Sequence, residues 1–236
     1  MSLRRVLTLL LLALLVSTLP IPAPLLAEEG CSSVVFLAVE PGGEGIAMNV
    51  RVCVDGREPQ PVIGIENVYS VDPSVPASFK LALIALELVA GVDTDRRVTV
   101  EFLDNPRSVR GPSAGFAFAL AVMRAMGVAE PRGRVAATGF LNIDGFVDPV
   151  AGVTAKLRAA ADAGVEQVYV PLLNIPDVPG GLGLEVVYVA MIAGLLNKSG
   201  TWTFDRELVH EVMRVMGGVA EELLRGAGPE APKTLV

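Results

Sequence analysis

The sequence predicts an α+β domain, with β-hairpins packed against helices. Three observations lead there. Short stretches of alternating apolar residues, bounded by Gly, Pro and Asn, recur through the chain. Two longer apolar runs, at 77–89 and 116–126, have helical spacing. Strands and helices then mix without a regular βαβ rhythm. Hydrophobic residues make up 52% of the 236 residues and aromatics only 5%, so the core is expected to be aliphatic, built of Ala, Val, Leu and Ile.

The first strands are expected at 33–39 and 45–54, with Glu40-Pro41-Gly42-Gly43-Glu44 as the hairpin loop between them. If Val39 faces Gly45, the same register sets Cys31 opposite Cys53, and a cross-strand disulfide suits an oxidising compartment. Two free thiols in a small core are the alternative. Residues 61–72 read as one or two further strands, and Asp72-Pro73-Ser74 ends them and offers a cap. The run 77–89 reads as a largely buried helix ending at Gly91. Val98, Val100 and Phe102 alternate, so 97–103 is a strand, and Asp104-Asn105-Pro106-Arg107 a loop.

Arg110-Gly111-Pro112-Ser113-Ala114-Gly115 comes next. Proline suits a first helical turn, and Phe116, Leu120, Met123 and Met126 follow at helical spacing, so a helix begins near Ser113. A hydroxyl there sits among unpaired backbone N–H groups at the positive end of the dipole. It is either a helix cap or a nucleophile with oxyanion donors beside it. Residues 134–141 and 146–150 form a second hairpin around Asp144-Gly145, with Thr138 inside its first strand. A helix at 153–163 stops at Gly164, a strand follows at 167–170, then a Pro- and Gly-rich loop at 171–183, a strand at 184–189 and a short helix at 190–196. Finally, 205–224 carries Leu208, Val212, Val215, Val219 and Leu223 on one face of an amphipathic helix.

The organisation expected is a leader at 1–27, a domain at 31–200, the amphipathic helix within 201–225 and a loose tail at 226–236. Arg4-Arg5, an apolar run at 6–15, prolines at 20, 22 and 24 and the small residue Ala27 have the layout of a secretory signal. A membrane anchor through residues 6–27 is the alternative. Either reading places the domain outside the cytoplasm, secreted or tethered. The net charge of −7, with no long basic run, argues against nucleic acid as a partner. One histidine and two cysteines are too few for an ordinary zinc site, and no GxxxxGK[ST] stretch occurs, so neither a metal nor another cofactor is expected.

A serine triad needs a histidine. The single one, His210, is flanked by Glu207 and Glu211 on what reads as a solvated helix face. A buried lysine can serve instead if desolvation lowers its pKa from about 10.4 towards neutrality. Lys156, in Ala151-Gly152-Val153-Thr154-Ala155-Lys156-Leu157, lies on a helix of small and apolar residues. It is such a base, or a lysine whose stem covers apolar surface while its head reaches water.

The stretch from about 98 to 173 resembles the proteolytic domain of the Lon protease family. Gly111-Pro112-Ser113-Ala114-Gly115 is similar to the family's nucleophile motif, and Thr138-Gly139 to its Thr-Gly on a following strand. Leu141, Gly145, Val147, Pro149-Val150 and Gly152 fall where the family has its hairpin. Lys156, 43 residues beyond Ser113, falls on its catalytic lysine. Ala159-Ala160, Gly164 and Val170-Pro171 continue the match. The resemblance implies the ribosomal protein S5 domain 2-like fold and a Ser–Lys dyad. Ser113 would be the nucleophile, Lys156 the base, and Thr138 the group that orients the lysine. Gly111, Pro112 and Ala114 would shape the oxyanion loop. It also implies polypeptide substrates and homo-oligomeric assembly. Two departures stand out: common ATP-dependent members have a carboxylate before Gly-Pro-Ser, where this chain has Arg110, and Glu after Thr-Gly, where it has Phe140. The expected activity is ATP-independent endopeptidase cleavage of unfolded or flexible polypeptides. The alternatives are a catalytically silent domain used for binding or assembly, and a phosphate-holding small-molecule enzyme that would leave Lys156 unexplained.

Overall fold

The computed structural model describes residues 30–129 and 131–196. The expected leader at 1–27, the amphipathic stretch at 201–225 with His210, and the tail at 226–236 lie outside the described residues. Among the described residues no helix is long and apolar enough to cross a membrane.

The elements in chain order are β1 (Gly30–Val39), β2 (Gly45–Arg57), β3 (Val62–Glu66), β4 (Ser70–Val71), α1 (Ser74–Ala90), β5 (Arg96–Phe102), β6 (Ser108–Val109), a 3₁₀ turn (Pro112–Ala114) and α2 (Gly115–Ala125). Then come β7 (Val135–Ala137), β8 (Phe140–Leu141), β9 (Val147–Asp148), α3 (Val153–Asp162), β10 (Gln167–Pro171), a 3₁₀ turn (Leu172–Asp177), β11 (Glu185–Val189) and a last 3₁₀ turn (Ile192–Leu195). The fold is mixed α+β. Seven strands form one sheet in the order β11-β10-β7-β1-β2-β5-β3, while β4 pairs with β6 and β8 with β9 in two small sheets.

β1 and β2 are antiparallel, with Val39 opposite Gly45 and Cys31 opposite Cys53, the register expected from the loop length. Side chains alternate between the two faces of a strand. Val34 and Phe36 therefore meet α1 and α2 on one face, and Val35 and Leu37 meet α3 on the other. Burial on both faces explains why β1 reads as a continuous apolar run. α1 ends at Gly91, whose φ of 63° lets its N–H reach the Glu87 carbonyl at 3.2 Å, and Val92 N–H reaches Leu86 O at 3.1 Å.

Two expectations need correction. The core is not purely aliphatic: Phe36, Phe79, Phe102, Phe116 and Phe118 are among its largest fully buried side chains. Phe79 stacks on Phe118 with centroids 4.4 Å apart, and Phe36 meets Phe79 and Phe102 edge-on. The few aromatics are concentrated where sheet and helices meet, a position that composition does not reveal. One βαβ crossover occurs, with β7 and β10 parallel neighbours and α3 between them in sequence, and it leaves the expected lack of a regular βαβ rhythm standing.

The other correction bears on function. The strand expected at 134–141 is broken. β7 belongs to the large sheet, β8 pairs with β9, and Thr138-Gly139 lies between them outside either strand. Gly139 explains the break. Its N–H donates to Ser113 O at 3.0 Å, and its own carbonyl accepts from Phe116 N–H at 3.3 Å. A Cβ there would stand 2.6 Å from Val147 Cγ1 and 3.2 Å from Phe116 Cβ, so only glycine lets the chain pass this close to α2.

Candidate active site

Gly111 has φ 84° and ψ 151°, a conformation essentially confined to glycine. A Cβ on it would meet nothing within 4 Å, so backbone geometry, and not space, requires glycine here. Pro112 then opens the 3₁₀ turn, with Ser113 at its centre and Ala114 buried at its end. Gly115 packs against α1, where a Cβ would come 3.3 Å from Ser78 Cβ. No side chain caps this turn or α2. The Ser113 hydroxyl is therefore not spent as a helix cap, which removes the plainer of its two readings.

α3 begins after Gly152, which has φ 72° and whose Cβ would stand 2.6 Å from Val39 Cγ2. On the other side, Gly45 brings β2 so close that a Cβ would strike the Ala155 carbonyl. These two glycines seat α3 tightly on the β1–β2 hairpin. One turn along, Lys156 projects into the protein and is 3% exposed. Its Nζ donates to Thr138 Oγ1 at 3.0 Å and stands 3.4 Å from Ser113 Oγ. Lys156 enters no ion pair among the described residues. Burial alone lowers its pKa from 10.5 to about 8. A stem-covering lysine with its head in water is not what is found.

Thr138 is fully buried, and its N–H donates to Tyr169 O at 3.1 Å, one rung beyond the last residue of β7. Ser113, Thr138 and Lys156 are thus brought together, and Gly111, Pro112 and Ala114 form the turn that carries the serine. Cys31 and Cys53 do not join them. Their sulfurs are bonded at 2.03 Å, and Cys31 lines a surface depression together with Arg124 and Arg134. A Cβ on Gly30 would meet Ala125 O, which places the pair near the far end of α2, about 16 Å of helix from Ser113.

Where the resemblance expects carboxylates, Arg110 donates from Nε to Ser108 Oγ at 3.2 Å. Nearby Asp72 accepts from the Ser74 hydroxyl and N–H. Those bonds, with a smaller contribution from the Arg110 charge, hold its carboxyl below the usual range. Phe140 lies opposite Asp148 in the small β8–β9 pair.

Sequence reasoning missed Asn174. The stretch after β10 reads as an ordinary loop, yet Asn174 within it is 3% exposed. Its Oδ1 accepts from Val150 N–H at 2.9 Å and its Nδ2 donates to Val150 O at 3.0 Å, so it replaces a strand partner for the segment leading into α3. Thr154 Oγ1 adds a bond to Asp177 O at 2.7 Å. A polar residue flanked by Leu172, Leu173 and Ile175 was the one available signal. Among the described residues no group of His, Cys, Asp and Glu could hold a metal ion.

Residues 92–197 match the family model of the Lon protease (S16) C-terminal proteolytic domain. The archaeal Lon protease of Methanothermobacter thermautotrophicus is 37% identical over 166 residues, which cover 66% of this chain and 23% of that protein. That of Pyrococcus abyssi is 42% identical over 81 residues, covering 34% of this chain and 8% of the relative. Lon protease 2 of Bacillus subtilis is 31% identical over 91 residues, covering 38% and 16%. The chain spans less than a quarter of the length of these curated relatives. The matched stretch contains Ser113, Thr138, Lys156 and Asn174.

Proposed function

We propose that this chain is an endopeptidase that cleaves unfolded or flexible polypeptides through a Ser113–Lys156 dyad, without ATP. The observation that carries the reading is a buried amine, with no ion-pair partner among the described residues, 3.4 Å from a serine hydroxyl at the start of a helix. Hydrogen-bond distances between catalytic groups commonly tighten once substrate is bound. The neutral amine of Lys156 takes the Ser113 proton as Oγ attacks the scissile carbonyl carbon. The backbone N–H groups of Ser113 and Ala114, which follow Pro112 in the turn, stabilise the oxyanion. As the C–N bond breaks, the lysine ammonium returns the proton to the departing amine, leaving an ester on Ser113. Water then hydrolyses that ester with Lys156 again as base. Thr138 holds the amine in place through its hydroxyl.

With a pKa of about 8, roughly one lysine in ten is neutral at pH 7. kcat/KM on an unfolded protein substrate should rise with pH and level off above about 8. Ser113→Ala and Lys156→Met should each abolish cleavage, and adding ATP should change nothing. Cleavage that survives both substitutions removes the dyad. A folded protein with no cleavage at any pH leaves the silent binding domain as the reading.

For location, we propose an extracytoplasmic site, secreted or membrane-tethered. The basic–apolar–small layout of 1–27 and the Cys31–Cys53 pairing support it. Mass measurement of the mature protein with and without reductant tests both features at once.

A further inference from the structure

α1 carries a second apolar stripe that the domain leaves unused. Its inner face sends Val75, Phe79, Ala82, Leu83 and Leu86 into the core. On the outer side Ala77, Leu81, Ile84 and Leu88 follow at intervals of four, three and four residues, the spacing of a seam that meets another helix. Ile84 is 40% and Leu88 69% exposed. Single exposed apolar residues need no explanation, but a continuous seam does. Ile143 and Phe146 are also exposed. They lie on the β8–β9 turn, where a Cβ on Gly145 would stand 3.0 Å from Val89 near the end of α1.

The described chain ends at this place. Ile192 N–H donates to Gly145 O at 3.0 Å, and Leu195 and Leu196 pack against the same core. Residues 197–236 continue from there. Among them Leu208, Val212, Val215 and Val219 repeat the intervals of four, three and four. Gly217 and Gly218 interrupt the pattern, each costing a helix about 1 kcal/mol relative to Ala. A helix at 205–224 therefore needs a packing surface more than most.

We propose that residues 205–224 fold back as a helix over α1, antiparallel to it. Leu208 then lies beside Leu88, Val212 beside Ile84, Val215 beside Leu81 and Val219 beside Ala77. The connecting residues 197–204 decide the direction. Eight residues reach at most about 28 Å, and the 17 residues of α1 rise about 25 Å. A parallel placement would stretch the connection along the whole helix, whereas the antiparallel one asks only for a turn. Charge does not set the order, since Asp205, Glu207 and Glu211 accompany Arg206 in the half beside Glu87, and Arg214 accompanies Glu221 and Glu222 in the half beside Lys80. This inference is independent of the peptidase reading.

Paired cysteines in the full chain test it. Leu88→Cys with Leu208→Cys, and Ala77→Cys with Val219→Cys, are in register; Ala77→Cys with Leu208→Cys is the mismatched control. With a short bismaleimide, the in-register pairs should link within one chain at least tenfold faster than the control. Linkage at twice the chain mass, meaning a second copy on the seam, overturns the proposal. So do equal rates for all three pairs, or no linkage. Leu88→Asp gives a second measurement, since an exposed position tolerates it in the folded domain. Protease clipping within 205–224 should speed up at least tenfold, and an unchanged rate overturns the proposal.

Discussion

Replacing Lys156 with methionine should make the protein more stable at neutral pH while ending its activity. The magnitude follows from the burial of the amine. Its pKa falls from 10.5 in the unfolded chain to about 8 in the folded one, so the folded state holds the proton less tightly. Between those values the unfolded state binds more protons, and stability rises with pH. Each tenfold loss of proton affinity is worth about 1.4 kcal/mol, so below pH 8 the charged lysine costs the fold about 3 kcal/mol. Methionine has a similar length and no charge. It gives up the bond to Thr138 Oγ1, worth about 1 kcal/mol. The variant should thus be more stable by about 2 kcal/mol at pH 7. About 2 kcal/mol of that difference should disappear by pH 9.5. Burial also raises the Tyr169 phenol to about 12, which lowers stability above pH 10, but equally in both proteins. Urea unfolding of the two proteins at pH 7 and pH 9.5 reads the difference from midpoints at constant m. A stability difference that does not change with pH would refute the reasoning, because the amine would then titrate alike in both states.

Four other perturbations probe the site and its surroundings. Asn174→Ala leaves the Val150 N–H and carbonyl without their partner. It should cost about 2–3 kcal/mol and, by shifting the entry to α3, lower kcat at least tenfold with little change in KM; a kcat within twofold of the parent would count against that positioning role. Gly139→Ala forces a Cβ to 2.6 Å from Val147 Cγ1 and should cost about 1–3 kcal/mol together with most of the activity. Gly42→Ala, with nothing within 4 Å, should stay within about 0.5 kcal/mol in a parallel urea titration. Reducing Cys31–Cys53, which spans 22 residues, should cost about 3 kcal/mol by chain entropy, yet leave peptidase activity at 25 °C intact because the bond lies at the far end of α2. An unchanged melting point in reductant would contradict the first half of that expectation.

The parts legible in sequence were those set by local rules. The β1–β2 register followed from a loop length, and α1 stopped at the glycine that a left-handed cap demands. Ser113 and Lys156 were singled out by the resemblance to the Lon proteolytic domain, since the residues alone left a helix cap and a stem-covering lysine open. What stayed hidden was set by contacts distant in sequence. Val135 to Leu141 reads as one short strand, and its sequence does not announce that Gly139 leaves the ladder to reach the Ser113 carbonyl 26 residues upstream. Asn174 looked like a loop residue because its partner, Val150, lies 24 residues away.

That hidden break explains how the pair can meet at all. α2 and α3 cover opposite faces of the sheet, so a continuous strand would stand between their side chains. β7 ends at Ala137, and the alternation along it, with Ala136 towards α3 and Ala137 towards α2, turns the next side chain, Thr138, to the α3 side, where it meets Lys156. Gly139 then bends the backbone to the other side and fastens it to the Ser113 turn. Two adjacent residues therefore bridge both faces past the carboxyl end of one strand, one holding the amine and the other the turn that bears the hydroxyl. A displacement of either helix along its own face changes the distance between the amine and the hydroxyl. This is why residues that touch neither group, Asn174 and Gly139 among them, are expected to govern the rate.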